Sequence, residues 1–384
     1  MKIVHIAPSA PYNEGWGYQE NLLPKYHKKL GHDVTLIVST FSHDKGAIVD
    51  VGEEDYVNAD GVRVIRRAYK KYATRALTNM HAQINAYPLL KEIAPDFIFF
   101  HGLQGTTIYQ AIRYKKKDNP NCIIVRDNHL DYNIGTRCTR FKDKLIRAFH
   151  RRHIRRTLKY VDKVYGVTPW RKTYAEDYFS VPSSKTDVLI MGADDEKINF
   201  SSRESIRLKI REKYGIKEDD FLIVTGGKLD KKKKVDVLME GCKNLAGVKL
   251  LVFGSLLDEE RQSFESLLSS ADNITYIGWV AADSVYDYFF AADLVAFPGQ
   301  HSVLWEQACA SKTPCAFARW EGMDHVDNGG NSSFVDENTP QGWREEIIRL
   351  CGTQAYAQML QTARSEKTDV YLYSNIAKKS LQNV

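Results

Sequence analysis

The strand-like run FLIVTGG leads into TGGKLDKKKKVDVLMEG, residues 225–241. Gly226 and Gly227 let the backbone turn tightly where a strand feeds a loop. Lys228 and Lys231 to Lys234 follow, close to the start of a helical pattern. The amino end of a helix already carries positive dipole, so cations gathered there make sense when an anion offsets them. A diphosphate suits such a place, with charge-assisted contacts of roughly 1.5–3 kcal/mol each. A solvated lysine-rich loop is the alternative reading. The segment does not match GxxxxGK[ST], which disfavours a P-loop NTPase. No first strand is followed by GxGxxG either. The N-terminal turn, PSAPYNEGWGYQEN, holds only Gly15 and Gly17, so a classical NAD enzyme is disfavoured.

A second constellation is AFPGQHSVLWEQACASKTPCAFA, residues 296–318. Ser302 is a good N-cap for a helix from Val303 to about Ser311, whose first amides would be free to meet a ligand. Glu306, in the first turn or so, could accept two hydrogen bonds from a vicinal diol such as a ribose. A partly exposed helix glutamate is the alternative. No metal site is expected. There is no Asp-x-Asp pair, and Asp194-Asp195 and Asp219-Asp220 read as linker or turn carboxylates. The six cysteines lack CxxC spacing and read mostly as buried thiols.

The elements around these segments alternate. KIVHIAPS, VTLIVS, VRVIRR, FIFFHG, CIIVRD and KVYGVT read as strands whose mostly continuous apolar runs fit burial on both faces. Helical stretches lie between them, such as Tyr18 to Leu30, closed by Gly31, and Asn79 to Ile93, ending before Pro95. Such alternation implies right-handed crossovers and a parallel sheet. After a polar stretch at 195–220 the alternation restarts with FLIVTGG, VKLLVFGS, ITYIGWV, LVAFPG and TPCAFAR. The fold class is therefore α/β, with two Rossmann-like domains facing each other across a cleft and parallel sheets. The expected boundaries are 1–194, 195–354 and a helical tail, 355–384, packing back on the first domain. Ligands of such folds bind beyond the carboxyl ends of the strands.

The 384 residues suit two or three domains, and 43% hydrophobic with 27% charged content describes a globular chain. No run approaches the ~20 apolar residues of a membrane span. MKIVHIAPSA lacks a signal-peptide layout, so the cytosol is the expected compartment. Net charge is +6, and Arg137 to Lys159 holds ten Lys or Arg against the single acid Asp143. That stretch is either a solvated helix or a face for an anionic partner.

Taken in order, these segments resemble the retaining GT-B glycosyltransferases often called group 1. Gly17 matches the family's first glycine-rich loop and GHDV, residues 31–34, its usual Gly-His-Asp/Glu-Val. PDFIFFHG ends at His101, RDNHLD carries His129, and MGAD supplies Gly192 and Asp194. GKLDKKKK aligns Lys228 and Lys233 with the family's arginine and lysine, and PGQHSVLWEQACASKTP aligns Glu306 with its second glutamate. The match runs from about Met1 to Pro314.

The resemblance implies that Lys228 and Lys233 neutralise the diphosphate of a nucleotide-sugar donor, UDP-sugar favoured. Gly17 and Gly227 would admit its phosphates, Glu306 would hold the ribose, and the backbone at Ile277 would meet the base. His129 would face the anomeric carbon, with His101 and Asp131 on the acceptor side. The implied cofactor list is empty and catalysis metal-free, the lysines doing the work of a cation. The implied acceptor is a saccharide or lipid-linked saccharide in cell-surface polysaccharide or glycoconjugate synthesis, reached by an enzyme that is cytoplasmic or peripheral on the inner membrane face. The basic stretch Arg137–Lys159 would supply that anionic-membrane contact, and no nucleic-acid partner is expected. Two positions depart from the family: Pro298 stands where a sugar-gripping glutamate is usual, and Lys234 replaces a glycine. His301, Ser302 and Val303 lie where they could substitute for the missing glutamate or meet phosphate. The alternatives are a nucleotide-sugar epimerase of the same fold and a non-catalytic polyanion-binding protein.

Overall fold

The computed structural model describes residues 1–44, 47–70, 83–132 and 141–382. They form two compact units: Met1–Met191 together with Ile376–Val384, and Gly192–Asn375.

The first unit is built on an eight-stranded sheet. Its strands are β1 (Lys2–Ala7), β2 (Asp33–Ser39), β5 (Glu54–Val57), β6 (Arg63–Arg67), β7 (Phe97–Phe100), β8 (Ile123–Asn128), β9 (Lys163–Gly166) and β10 (Thr186–Val188). Their order is β10-β9-β8-β7-β1-β2-β6-β5. Every pairing is parallel except that of β5, which lies antiparallel on β6 at the edge. β3 (Phe41–Asp44) and β4 (Ala47–Asp50) form a separate antiparallel pair. Phe97–Phe100 is buried at all four positions, as continuous apolar runs in a covered parallel sheet require. The flanking helices are α1 (Gln19–Lys29), α2 (Tyr87–Ile93), α3 (Ile108–Lys117), α4 (Phe141–Thr157) and α5 (Pro169–Phe179). The helix expected from Asn79 is described only over Tyr87–Ile93. It ends on Ala94 in the left-handed region (φ +53°), immediately before Pro95. Residues 79–82 of that expectation lie outside the described residues, as do Arg137 and Arg140 of the basic stretch and Cys138.

The second unit carries a six-stranded, wholly parallel sheet. Its strands are β11 (Phe221–Leu229), β12 (Val248–Leu256), β13 (Ile274–Gly278), β14 (Leu294–Phe297), β15 (Cys315–Ala318) and β16 (Ser332–Val335), in the order β13-β12-β11-β14-β15-β16. Its helices are α6 (Arg203–Lys213), α7 (Val235–Cys242), α8 (Asp258–Ser269), α9 (Val285–Ala291), α10 (Leu304–Ala310), α11 (Pro340–Leu350) and α12 (Gln354–Arg364), and α13 (Tyr373–Ser380) begins in this unit but belongs to the first from Ile376 onward. The unit begins earlier than Asp195, because Ala193 exchanges backbone hydrogen bonds with Tyr371 and Tyr373. In each unit the first strand lies between the second and the fourth of the parallel series. The chain reverses direction across the sheet there, opening a crevice at the carboxyl ends of the strands.

Candidate active site

In the second unit the crevice lies where β11 meets β14. β11 continues through Gly226, Gly227 and Lys228, so these residues form a strand end and not a helix start. Gly254, at φ +127°, faces Gly227 so closely that a Cβ there would sit 1.7 Å from the Gly227 carbonyl oxygen. A Cβ on Gly299 would fall 2.2 Å from Lys233 Cα. The loops after β11 and β14 therefore touch backbone to backbone. Gln300 N–H donates to the Lys232 carbonyl (2.9 Å). Lys233 Nζ donates to the Gln300 carbonyl (2.7 Å), and Trp320 Nε1 holds the Gly299 carbonyl (3.0 Å). Burial lowers the Lys233 pKa, with Asp230 opposing. Lys228 is exposed, and Lys234 caps α7 in the left-handed region (φ +48°). Ile277 is half-buried on β13.

One expectation about the second constellation changes, and one alternative reading falls away. Ser302 makes no side-chain cap: α10 starts at Leu304, Val303 takes the cap position in a helical conformation, and the Ser302 carbonyl accepts from Trp305 N–H (3.0 Å). Glu306 is fully buried, not partly exposed. Its Oε1 accepts from His301 Nε2 (2.7 Å) and from His325 Nε2 (2.8 Å). Burial alone would raise this carboxyl, but the two imidazoles outweigh it and bring the pKa down to about 2. Glu306 Oε2 has no hydrogen-bond partner among the described residues. The ligand atoms of His301, Glu306 and His325 lie within 4.8 Å of one another, close enough for a cation. Two N–H groups converging on one carboxylate oxygen already satisfy both imidazoles' Nε2 atoms and that oxygen.

The first unit has a pocket of about 530 Å³ at the carboxyl ends of β1 and β7. Its lining joins His101 and His129 with Trp16, Tyr18, His43, Glu20 and Arg171. Trp16 packs edge-on against Tyr18 and tilted against His43, both at 5.3 Å between ring centres. Such an aromatic wall suits the apolar face of a sugar ring. Gly17 is exposed in the loop before α1, and it is Gly15 that takes a positive φ (+76°).

Behind the pocket sits Asp127, fully buried. His101 Nδ1 lies 3.0 Å from Asp127 Oδ2 and His129 Nε2 lies 3.4 Å from it, while Gly102 N–H donates to Oδ1. Burial would raise Asp127, but His129 and His101 hold it well below the usual carboxylate range. Burial likewise lowers His129, yet Asp127 and Glu20 outweigh it and hold the imidazole above its ordinary value. Asp131 is buried, with Arg171 Nε 3.5 Å away. The pattern in RDNHLD drew attention to His129 and Asp131, not to the Asp127 that orients two histidines. Trp16 and His325 gave no sequence signal, because each acquires its meaning from a neighbour on another element.

Comparison with known proteins agrees with this geometry. The family described as Glycosyltransferase Family 4 matches residues 22–197, and Glycosyl transferases group 1 matches residues 220–353. An uncharacterized glycosyltransferase of Methanocaldococcus jannaschii is 21% identical over 214 residues, covering 53% of this chain and 54% of its own. The D-inositol 3-phosphate glycosyltransferase of Mycolicibacterium smegmatis is 24% identical over 177 residues, 44% of this chain and 40% of its own. The chain thus spans about half the length of the curated relatives it matches. Anabaena HepE, crystallised with UDP and glucose, superposes with a TM-score of 0.67 at 16% identity, over 99% of this chain and 98% of that one. With a family 4 module followed by a group 1 module on two Rossmann-like sheets, the chain belongs to the GT-B glycosyltransferases.

Proposed function

We propose that the protein transfers a sugar from a nucleoside-diphosphate donor, UDP-sugar favoured, to a glycan or lipid-linked saccharide, with retention and without a metal, in cell-surface polysaccharide or glycoconjugate synthesis. The observation that carries the reading is Glu306 Oε2, a fully buried carboxylate oxygen without a partner among the described residues, on the element that follows the tightly packed β11 and β14 loops. A ribose hydroxyl would supply the missing donor. The ionised state of Glu306 favours that role, since a carboxylate accepts more strongly than an acid.

In this reading Lys233, partly desolvated, and Lys228, exposed and free to swing, meet the diphosphate. Gly227 admits its oxygens, and His301, Ser302 and Val303 lie beside it. The base rests against the backbone at Ile277. His129 faces the anomeric carbon, with His101 and Asp131 on the acceptor side. The bond from C1 to the phosphate oxygen breaks with its electron pair leaving on the diphosphate, the acceptor oxygen bonds to C1, and the acceptor's hydroxyl proton passes to the departing phosphate oxygen. Positive charge from the lysines placed against the negative leaving group then dominates catalysis. HepE, of the same fold, holds UDP and glucose, which supports a UDP-linked donor.

Thermal shifts against UDP-, GDP- and ADP-sugars test the donor. Binding at ~100 Kd should stabilise the chain by about 2.7 kcal/mol. Lys233→Ala should weaken nucleotide binding roughly 10- to 100-fold, from loss of one charge-assisted contact. Nucleoside diphosphate should be released only when a saccharide acceptor is added. No shift with any nucleotide, or equal release without acceptor, contradicts the proposal.

A further inference from the structure

Three buried histidines in the first unit form a chain that the pocket alone does not require. His5 lies on β1, His27 on α1 and His101 just after β7; the first two are fully buried and the third nearly so. His27 Nδ1 is 2.9 Å from His5 Nε2, and His5 Nδ1 is 3.1 Å from His101 Nε2. His101 Nδ1 then reaches Asp127, as described above. At the far end His27 Nε2 lies 2.7 Å from Ser380 Oγ and 3.3 Å from the Ala377 carbonyl, in the segment Ile376–Val384 that belongs to this unit. Each ring nitrogen along the file faces one partner, except His27 Nε2 at the far end, which faces two.

That arrangement fixes the protons. Ionised Asp127 requires N–H at His101 Nδ1. When His101 is neutral, its Nε2 is a lone pair and must accept from His5 Nδ1–H. His5 Nε2 then accepts from His27 Nδ1–H, and His27 Nε2 accepts from the Ser380 hydroxyl. One further proton reverses the file. It binds at His27 Nε2, which donates toward the Ala377 carbonyl. His27 passes its Nδ1 proton to His5, His5 passes its own to His101, and the charge appears on His101 beside Asp127. Ser380 is then free to donate to the Ala377 carbonyl, 2.8 Å away. No bond changes other than N–H, and the added proton comes from solvent or from a ligand.

We propose that Ser380, His27, His5 and His101 form a single-file proton relay that ends on Asp127 and stores one proton behind the pocket, its charge resting on His101. His5 and His27 are then positioning residues: they touch no ligand and act through His101.

The surroundings favour this location of the charge. His5 faces His27, His101 and the Phe99 ring (5.5 Å), and burial first, then the neighbouring histidines, holds its pKa well below the ordinary value despite Asp127. His27 faces His32 in addition to the file, and burial keeps it at about 3 with the Ala377 carbonyl opposing. Among the described residues Asp127 is the carboxylate hydrogen-bonded to the file, with His129 on its other side, next to Glu20 and Arg171. The Tyr165 hydroxyl donates to the Ser380 carbonyl (3.3 Å) and anchors the far end.

Long-range proton–nitrogen correlation spectra of the full chain labelled with 15N-histidine test the relay without relying on activity or on the glycosyltransferase reading. At high pH all three rings should carry N–H at Nδ1. On acidification His101 should become doubly protonated while His5 and His27 switch to N–H at Nε2, all at one midpoint. Ser380→Ala removes the donor to His27 and should move that midpoint upward by roughly half a pH unit or more. Separate midpoints, a doubly protonated His27 at the transition, or neutral rings persisting until the chain unfolds would overturn the proposal. So would an unmoved midpoint in a folded Ser380→Ala protein.

Discussion

His27 illustrates how much a single buried group can govern. Its pKa in the fold is held at about 3 by burial, and His5 is also held well below its ordinary value. The unfolded chain, with histidines near 6.5, therefore binds more protons in acid. The stabilisation is fully present above about pH 6.5 and is lost as pH falls toward the folded value, by up to about 1.4 kcal/mol per pH unit per histidine. Asp127, held low, acts in the same direction at lower pH. His129, held above its ordinary value, acts oppositely: its contribution is complete below about pH 6.5 and fades as pH rises through its folded value. Half-exposed, it is the weaker term. The urea midpoint should therefore drop between pH 7 and pH 5. His27→Phe should lower stability overall yet flatten that slope by about one proton, and a slope unchanged by the substitution would contradict this account. Little of it was legible in the sequence. His5 stands alone in an apolar strand and His27 alone in a helix, 22 residues apart. Only the pairing of β1 with β7 and the packing of α1 bring them to His101. Glu306 was readable from its spacing, but its two histidine partners were not, because His325 arrives from a loop beyond β15.

The strands of both sheets were largely legible as elements, and the reason is physical. In a parallel sheet covered on both faces every residue is apolar, so FIFF and LVAF announce themselves. The short polar strands FSHD, AIVD and EDYV were missed, because their residues are mostly exposed and carry neither alternation nor an apolar run. The glycines at the end of β11 were read for their turn-making and Gly254 of β12 was not singled out, whereas the use of Gly227 and Gly254 is close approach. Gly254 makes a sharp test. It combines φ +127° with no room for a Cβ, whereas Gly247 has a positive φ (+69°) and open space around it. Gly254→Ala should cost several kcal/mol, about 3 or more, and abolish nucleotide binding by parting β11 from β12. Gly247→Ala should cost only about 1–2 kcal/mol, the left-handed penalty alone, and leave binding intact. Chemical denaturation and nucleotide titration of the two variants check both halves. Equal losses would mean that backbone conformation, not contact between the strand ends, sets the requirement.

On the scale of the whole molecule, the +6 net charge matters less than where it is concentrated. Among the described residues no helix is long and apolar enough to cross a membrane. α4 instead presents a basic face. Ile154 and Leu158 turn into the core, while Arg151, Arg152, Arg155 and Arg156 are exposed. Their spacing places them on one side of the helix, as neighbours three to five positions apart must be. Two are held in place: the Arg151 guanidinium lies 5.4 Å from the centre of the Tyr178 ring, and Arg155 donates to Ser180 Oγ (2.7 Å). A fixed cationic face suits a flat anionic surface, since less side-chain freedom is lost on contact. Co-sedimentation with vesicles should therefore rise with the fraction of anionic lipid and fall as salt is added. At about 1 kcal/mol per basic residue near the surface, replacing the four arginines by glutamine should weaken partitioning on the order of 100-fold or more. Because these side chains lie outside the hydrophobic core, the variant should unfold at nearly the wild-type urea concentration. Undiminished vesicle binding by such a folded variant would remove α4 from the proposed route to a lipid-linked acceptor.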